Sequence, residues 1–81
     1  MSLNKQEQVD LSKLKPGQSG RISGFSDDDM ASKLLEMGFI PGEEVTVSKI
    51  AAFGDPIIVQ VADYHVSLRK TEAASVMLAL S

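Results

Sequence analysis

The chain has no cysteine and no tryptophan, and only three phenylalanines and one tyrosine among its 81 residues. Without thiols, disulfides, iron–sulfur clusters and thiolate zinc sites are excluded, and a reducing compartment, the cytoplasm, is the expected home. Histidine occurs once. A stable transition-metal site takes three or four converging ligands, so neither a resident metal nor a cofactor is expected. No nucleophile, base and orienting group can be assembled from one imidazole and no thiol, and an enzyme is not expected. No apolar run approaches the ~18 residues of a membrane helix, and Met1 to Gln8 lacks the apolar centre of a signal peptide, so no membrane insertion is expected. Basic charge is also scarce. Eight Lys and Arg against eleven Asp and Glu give a net charge of −3, the wrong sign for a non-specific nucleic-acid binder. A protein partner fits this balance better.

What is present reads as one small domain over residues 9–81 behind a polar tail at residues 1–8. Val9, Leu11 and Leu14 carry apolar groups to dock, and Lys15-Pro16-Gly17-Gln18 turns the chain into a first strand, Ser19 to Phe25. Gly20 and Gly24 mark it for a bulge or tight bend. Met30, Leu34 and Met37 recur at i, i+4 and i+7, the apolar face of a short helix. Ser26 is placed to cap that helix, with Asp27, Asp28 and Asp29 in its first turn and Asp29 paired to Lys33 four residues on. Gly38 closes it. Ile40-Pro41-Gly42-Glu43 predicts a type II corner with Gly42 at positive φ.

Three alternating segments follow: Glu44 to Ile50, Ile57 to Val61 and Tyr64 to Leu68. Ala51 to Pro56 is the wide loop between the first two. Ala62-Asp63 makes a two-residue hairpin. Lys70 to Ala74 reads as one helical turn and Ser75 to Leu80 as a last strand. The prediction is a mainly β fold, a small five-stranded SH3-like barrel with one short helix between strands one and two, closed so that no sticky edge is exposed.

Several segments, in this order and spacing, resemble the FeoA family of bacterial ferrous iron uptake. They are Leu11-Ser12-Lys13-Leu14-Lys15-Pro16-Gly17, Leu34 to Gly42 with Val45 and Val47, Phe53-Gly54-Asp55-Pro56-Ile57-Ile58-Val59, and Val66-Ser67-Leu68-Arg69-Lys70-Thr71-Glu72-Ala73. Phe39 stands where the family more often has leucine. The resemblance implies an SH3-like barrel and a cytoplasmic accessory module that binds the G-protein transporter FeoB and modulates or supports it. The alternative is a detached SH3-like domain of a metal-dependent transcription regulator; the chain carries no helix-turn-helix to support it.

Candidate partner-binding residues are Phe53, Ile58 and Arg69. Phe53 sits beside Gly54 in a loop, either as an interface anchor or folded back as a plug over one barrel end. Ile58 is out of phase with Ile57, Val59 and Val61 and is expected to face solvent. Arg69 serves either a partner or Glu72 three residues on, with the internal pair favoured. Leu35 beside the helix stripe either widens an interaction patch or finishes the core, with the core favoured; His65 is assigned to solvent, and Asp27-Asp28-Asp29 to helix capping rather than a cation. Gly17-Gln18-Ser19-Gly20 lacks the lysine and following helix of a phosphate loop. The surface, the direction of any effect on a transporter, weak self-association, and transition metal ion binding between molecules are left open by the sequence.

Overall fold

The computed structural model describes residues 7–80. Six antiparallel strands form one sheet: β1 (Glu7–Asp10), β2 (Ser19–Phe25), β3 (Glu44–Ile50), β4 (Ile57–Val61), β5 (Tyr64–Leu68) and β6 (Val76–Leu80), in the order β1-β6-β2-β3-β4-β5. Helix α1 (Asp28–Glu36) lies between β2 and β3, and one helical turn, α2 (Lys70–Ala73), between β5 and β6. The expected mainly β, SH3-like arrangement with its helix after the Ser19–Phe25 strand is therefore present. Two features differ from expectation. Glu7 and Gln8, assigned to the tail, pair with Leu80 and Ala79 in a sixth strand; residues 1–6 lie outside the described residues. The ladder is also not closed, because no hydrogen-bonded pairing joins β1 to β5. A polar strand such as Glu7-Gln8-Val9-Asp10 shows almost no period-2 signal, so only its partner reveals it.

The local signals set the corners. Asp27, not Ser26, caps α1: its carboxylate accepts from the N–H groups of Asp29 and Met30 at 2.9 and 3.1 Å. That leaves Asp28 and Asp29 in the first turn, where the helix dipole favours them. At the other end Gly38, φ 98°, lets the chain close in a Schellman arrangement. Phe39 N–H donates to Leu34 O and Gly38 N–H to Leu35 O, at 3.0 and 3.1 Å, while Phe39 and Leu34 are both fully buried. Gly42, also φ 98°, occupies the third position of the Ile40–Glu43 turn, whose Glu43 N–H reaches Ile40 O at 3.0 Å.

The core lies on the inner face of this curled sheet. Ile22, Val45, Val47, Ile57, Val59, Val61, Leu68, Val76 and Leu78 are buried at alternate positions of their strands, as period-2 side-chain direction requires. Leu34 and Phe39 fill one side, with Met30 and Met37 packed against it; Leu11 and Leu14 seal another. Each such side chain contributes roughly 1.5–3 kcal/mol on burial. Curling is helped by two bulges, where the register shifts between Ile22 and Gly24 and between Val47 and Lys49. Close approach matters at Gly20. A Cβ there would lie 3.0 Å from Leu78 Cβ, so β2 and β6 approach closely enough that any larger residue must push Leu78 aside.

Candidate interaction surface

The three candidate residues fall at one end of the sheet. Phe53 is 98% exposed at the tip of the 51–56 loop, which rules out the plug. Its loop is rigidly tied: Gly54 N–H donates to Ala51 O at 2.8 Å and Ala51 N–H to Pro56 O at 3.0 Å. Asp55 Oδ1 then accepts Lys70 N–H at 2.9 Å, fixing the loop to the start of α2. Ile58 is opposite Ser67 on β5 and Lys49 on β3, on the outer face as its parity requires. It is half-buried rather than fully solvent-facing, because its neighbours on the flanking strands cover its flanks. Arg69 is exposed, and with Ser67, Asp55, Pro56 and Glu72 it lines a shallow depression. A loop-tip aromatic, an aliphatic on the outer face and a guanidinium thus lie at the same end of the sheet.

The internal ion pair is not the one expected. Glu72 is buried, and its carboxylate takes the ammonium of Lys33 from α1 together with the backbone N–H of Arg69 at 2.8 Å. The Lys33 bond and the Arg69 N–H hold the Glu72 carboxyl below its ordinary range against the opposing effect of burial. Lys33 is therefore spent on Glu72 rather than on Asp29, and the Arg69 side chain is left on the surface. Sequence spacing sees only i, i+3 and i, i+4 neighbours; Lys33 and Glu72 are 39 positions apart.

A second exposed area was missed by sequence reasoning. Leu35, placed in the core, is 44% exposed, and Tyr64 is 62% exposed at the start of β5. Tyr64 has the inward parity of Val66 and Leu68, but it stands at the strand end beyond the packed interior. Glu36, Met37 and Gly38 face Tyr64, His65 and Val66 across an open groove. The available signal was angular: Leu35 lies about 100° round the helix from Leu34, off the Met30–Met37 stripe. His65 is exposed on the outer face. Among the described residues no three His, Asp or Glu side chains converge so as to hold a metal ion, and no helix is long and apolar enough to cross a membrane.

The FeoA domain family matches residues 9–80. This chain belongs to the FeoA family. A relative in Porphyromonas gingivalis, an Fe(2+) transport protein A/Fe(2+) transporter FeoB fusion protein, is 42% identical over 48 residues, 59% of this chain and 6% of the relative's length. The FeoA-like protein of Clostridium acetobutylicum superposes with a TM-score of 0.82 at 26% identity, covering 94% of this chain and 87% of that one. The zinc-complexed FeoA of Stenotrophomonas maltophilia, described as a prokaryotic SH3 domain protein, gives 0.73 at 32% identity over 88% of each chain. A manganese-dependent transcriptional repressor reaches 0.82 at 19% identity, over 96% of this chain and 39% of that one, a likeness of fold alone.

Proposed function

We propose that this FeoA-family chain is a non-enzymatic accessory module of bacterial ferrous iron uptake, folding as one domain, that docks on the cytoplasmic region of a FeoB-like transporter and modulates or supports it. The observation that carries the reading is the P. gingivalis relative, in which an FeoA segment and an FeoB transporter form one polypeptide. Fusion raises the effective concentration of two parts that act together, which is what a weak accessory contact needs. The transcription-regulator reading rests on fold likeness only, since the family match falls on FeoA.

Phe53, Ile58 and Arg69 are the proposed contact residues. A fully exposed aromatic on a hydrogen-bonded loop, with an arginine at the same end of the sheet, has the composition of an interface anchor. Calorimetric titration of the chain into its detergent-solubilised full-length transporter is the test, with saturable binding expected. Phe53→Ala and Ile58→Asp each weaken it by more than about 1 kcal/mol while leaving the fold intact. No binding by the unmodified chain refutes the function; unchanged binding by both variants refutes only the contact assignment.

A further inference from the structure

The open ladder leaves β5 as a free edge, and that edge has a symmetry of its own. Val61 and Tyr64 flank the two-residue Ala62-Asp63 turn and are the hydrogen-bonded pair that closes it. Alternation along an antiparallel ladder then makes Val59–Val66 and Ile57–Leu68 the bonded pairs with β4. The N–H and C=O groups of His65 and Ser67 therefore point away from the sheet, and among the described residues they meet no other backbone partner. Natural edges are blunted by lysine, proline, bulges or a covering element. Tyr64-His65-Val66-Ser67-Leu68 has no lysine, proline or bulge, and the space beside Tyr64, His65 and Val66 is an open groove.

We propose that a second copy of this chain pairs with β5, antiparallel, about a two-fold axis beside Val66. That register sets His65 against Ser67 of the partner, and Ser67 against His65 of the partner. These are the residues whose outward backbone groups can exchange bonds, so four hydrogen bonds form without disturbing β4. Val66 then meets its own symmetry mate in a close non-bonded pair, covering side chains that are half-buried in the single chain.

Charge selects this occupant. The same register brings Asp63, in the hairpin, opposite Arg69 of the partner, twice per dimer, and both residues are exposed and in no ion pair among the described residues. Glu36, on the far wall of the groove, adds a carboxylate at the end where the partner's Arg69 arrives. A seven-residue edge falls well short of a standard interface of about 1,600 Å², so the dimer is weak, with a dissociation constant of roughly 0.1 mM or above. The inference is independent of any transporter.

Sedimentation equilibrium from 10 μM to 2 mM, at low salt with a chelator present to exclude metal bridging, reads the association, and amide spectra over the same range locate it. Concentration-dependent dimerisation is expected, with shifts centred on residues 63–69. Arg69→Asp turns two attractive pairs into two repulsive ones and weakens dimerisation about ten-fold or more. Combining it with Asp63→Arg restores the original value, which separates charge pairing from any loss of fold. A monomer at 2 mM, an Arg69→Asp dimer of unchanged strength, failure of the charge swap to restore it, or shifts confined to other surfaces would each overturn the proposal. So would a chain monomeric alone whose β5 amides shift only when transporter is added, since the occupant would then be a transporter segment.

Discussion

Replacing Glu72 by alanine removes one buried acceptor that two separate elements share. Its carboxylate caps the start of α2 through Arg69 N–H at 2.8 Å and holds α1 through Lys33. Loss of the cap costs about 1 kcal/mol. The ion pair contributes less than a fully buried one, because the Lys33 side chain is 59% exposed, and a further ~1 kcal/mol is a fair allowance after solvent screening. The sum of about 2 kcal/mol corresponds to a fall of roughly 8–16 °C in melting temperature for a domain of this size. Glu72→Gln separates the two parts, since an amide oxygen can still accept from Arg69 but carries no charge. The folded carboxyl titrates below its ordinary value of 4.5, so the unfolded chain binds more protons between the two values and stability rises with pH there. The charge-dependent contribution is thus fully present above the unfolded value and is lost as pH falls through the folded one. Thermal melts of wild type and Glu72→Gln from pH 3 to pH 7 should show a gap that closes on acidification. An unchanged melting temperature for Glu72→Ala, or a gap to Glu72→Gln that does not vary with pH, would refute the reasoning.

Gly42→Val forces a β-branched residue into φ 98° and should destabilise the domain by roughly 1–3 kcal/mol, seen as a lower urea midpoint at unchanged slope. An unchanged midpoint would mean the corner can be rebuilt. Gly20→Ala puts a methyl 3.0 Å from Leu78 Cβ, and should cost about 1–3 kcal/mol by overpacking, measured the same way. Shortening the opposing side chain with Leu78→Val would not relieve that contact, because Cβ is retained.

The periodicities were sufficient for the elements that bury a face. Met30, Leu34 and Met37 named the inner side of α1, and Val45, Val47, Ile57, Val59 and Val61 named the core side of two strands, because burial acts on every second or every third-to-fourth residue and leaves that spacing in the chain. Gly38 and Gly42 marked their corners for the same local reason, a backbone angle that a Cβ disfavours. Phe53 could be placed on a loop, but the choice between an exposed tip and a plug over the barrel end was decided only by the fold, which leaves it 98% exposed. What depended on residues far apart in sequence was not legible. The Glu7–Asp10 strand exists because Val76–Leu80 lies beside it, and Glu72 took its cationic partner, Lys33, across 39 positions instead of the Arg69 guanidinium three residues away. Tyr64 shares the parity of the buried Leu68 yet stands exposed, since parity fixes the direction of a side chain and only the neighbouring elements decide whether anything covers it. The free edge of β5 has the same origin: strand composition can propose a closed barrel, but closure requires β1 and β5 to meet, and that distance is set by the curl of the whole sheet.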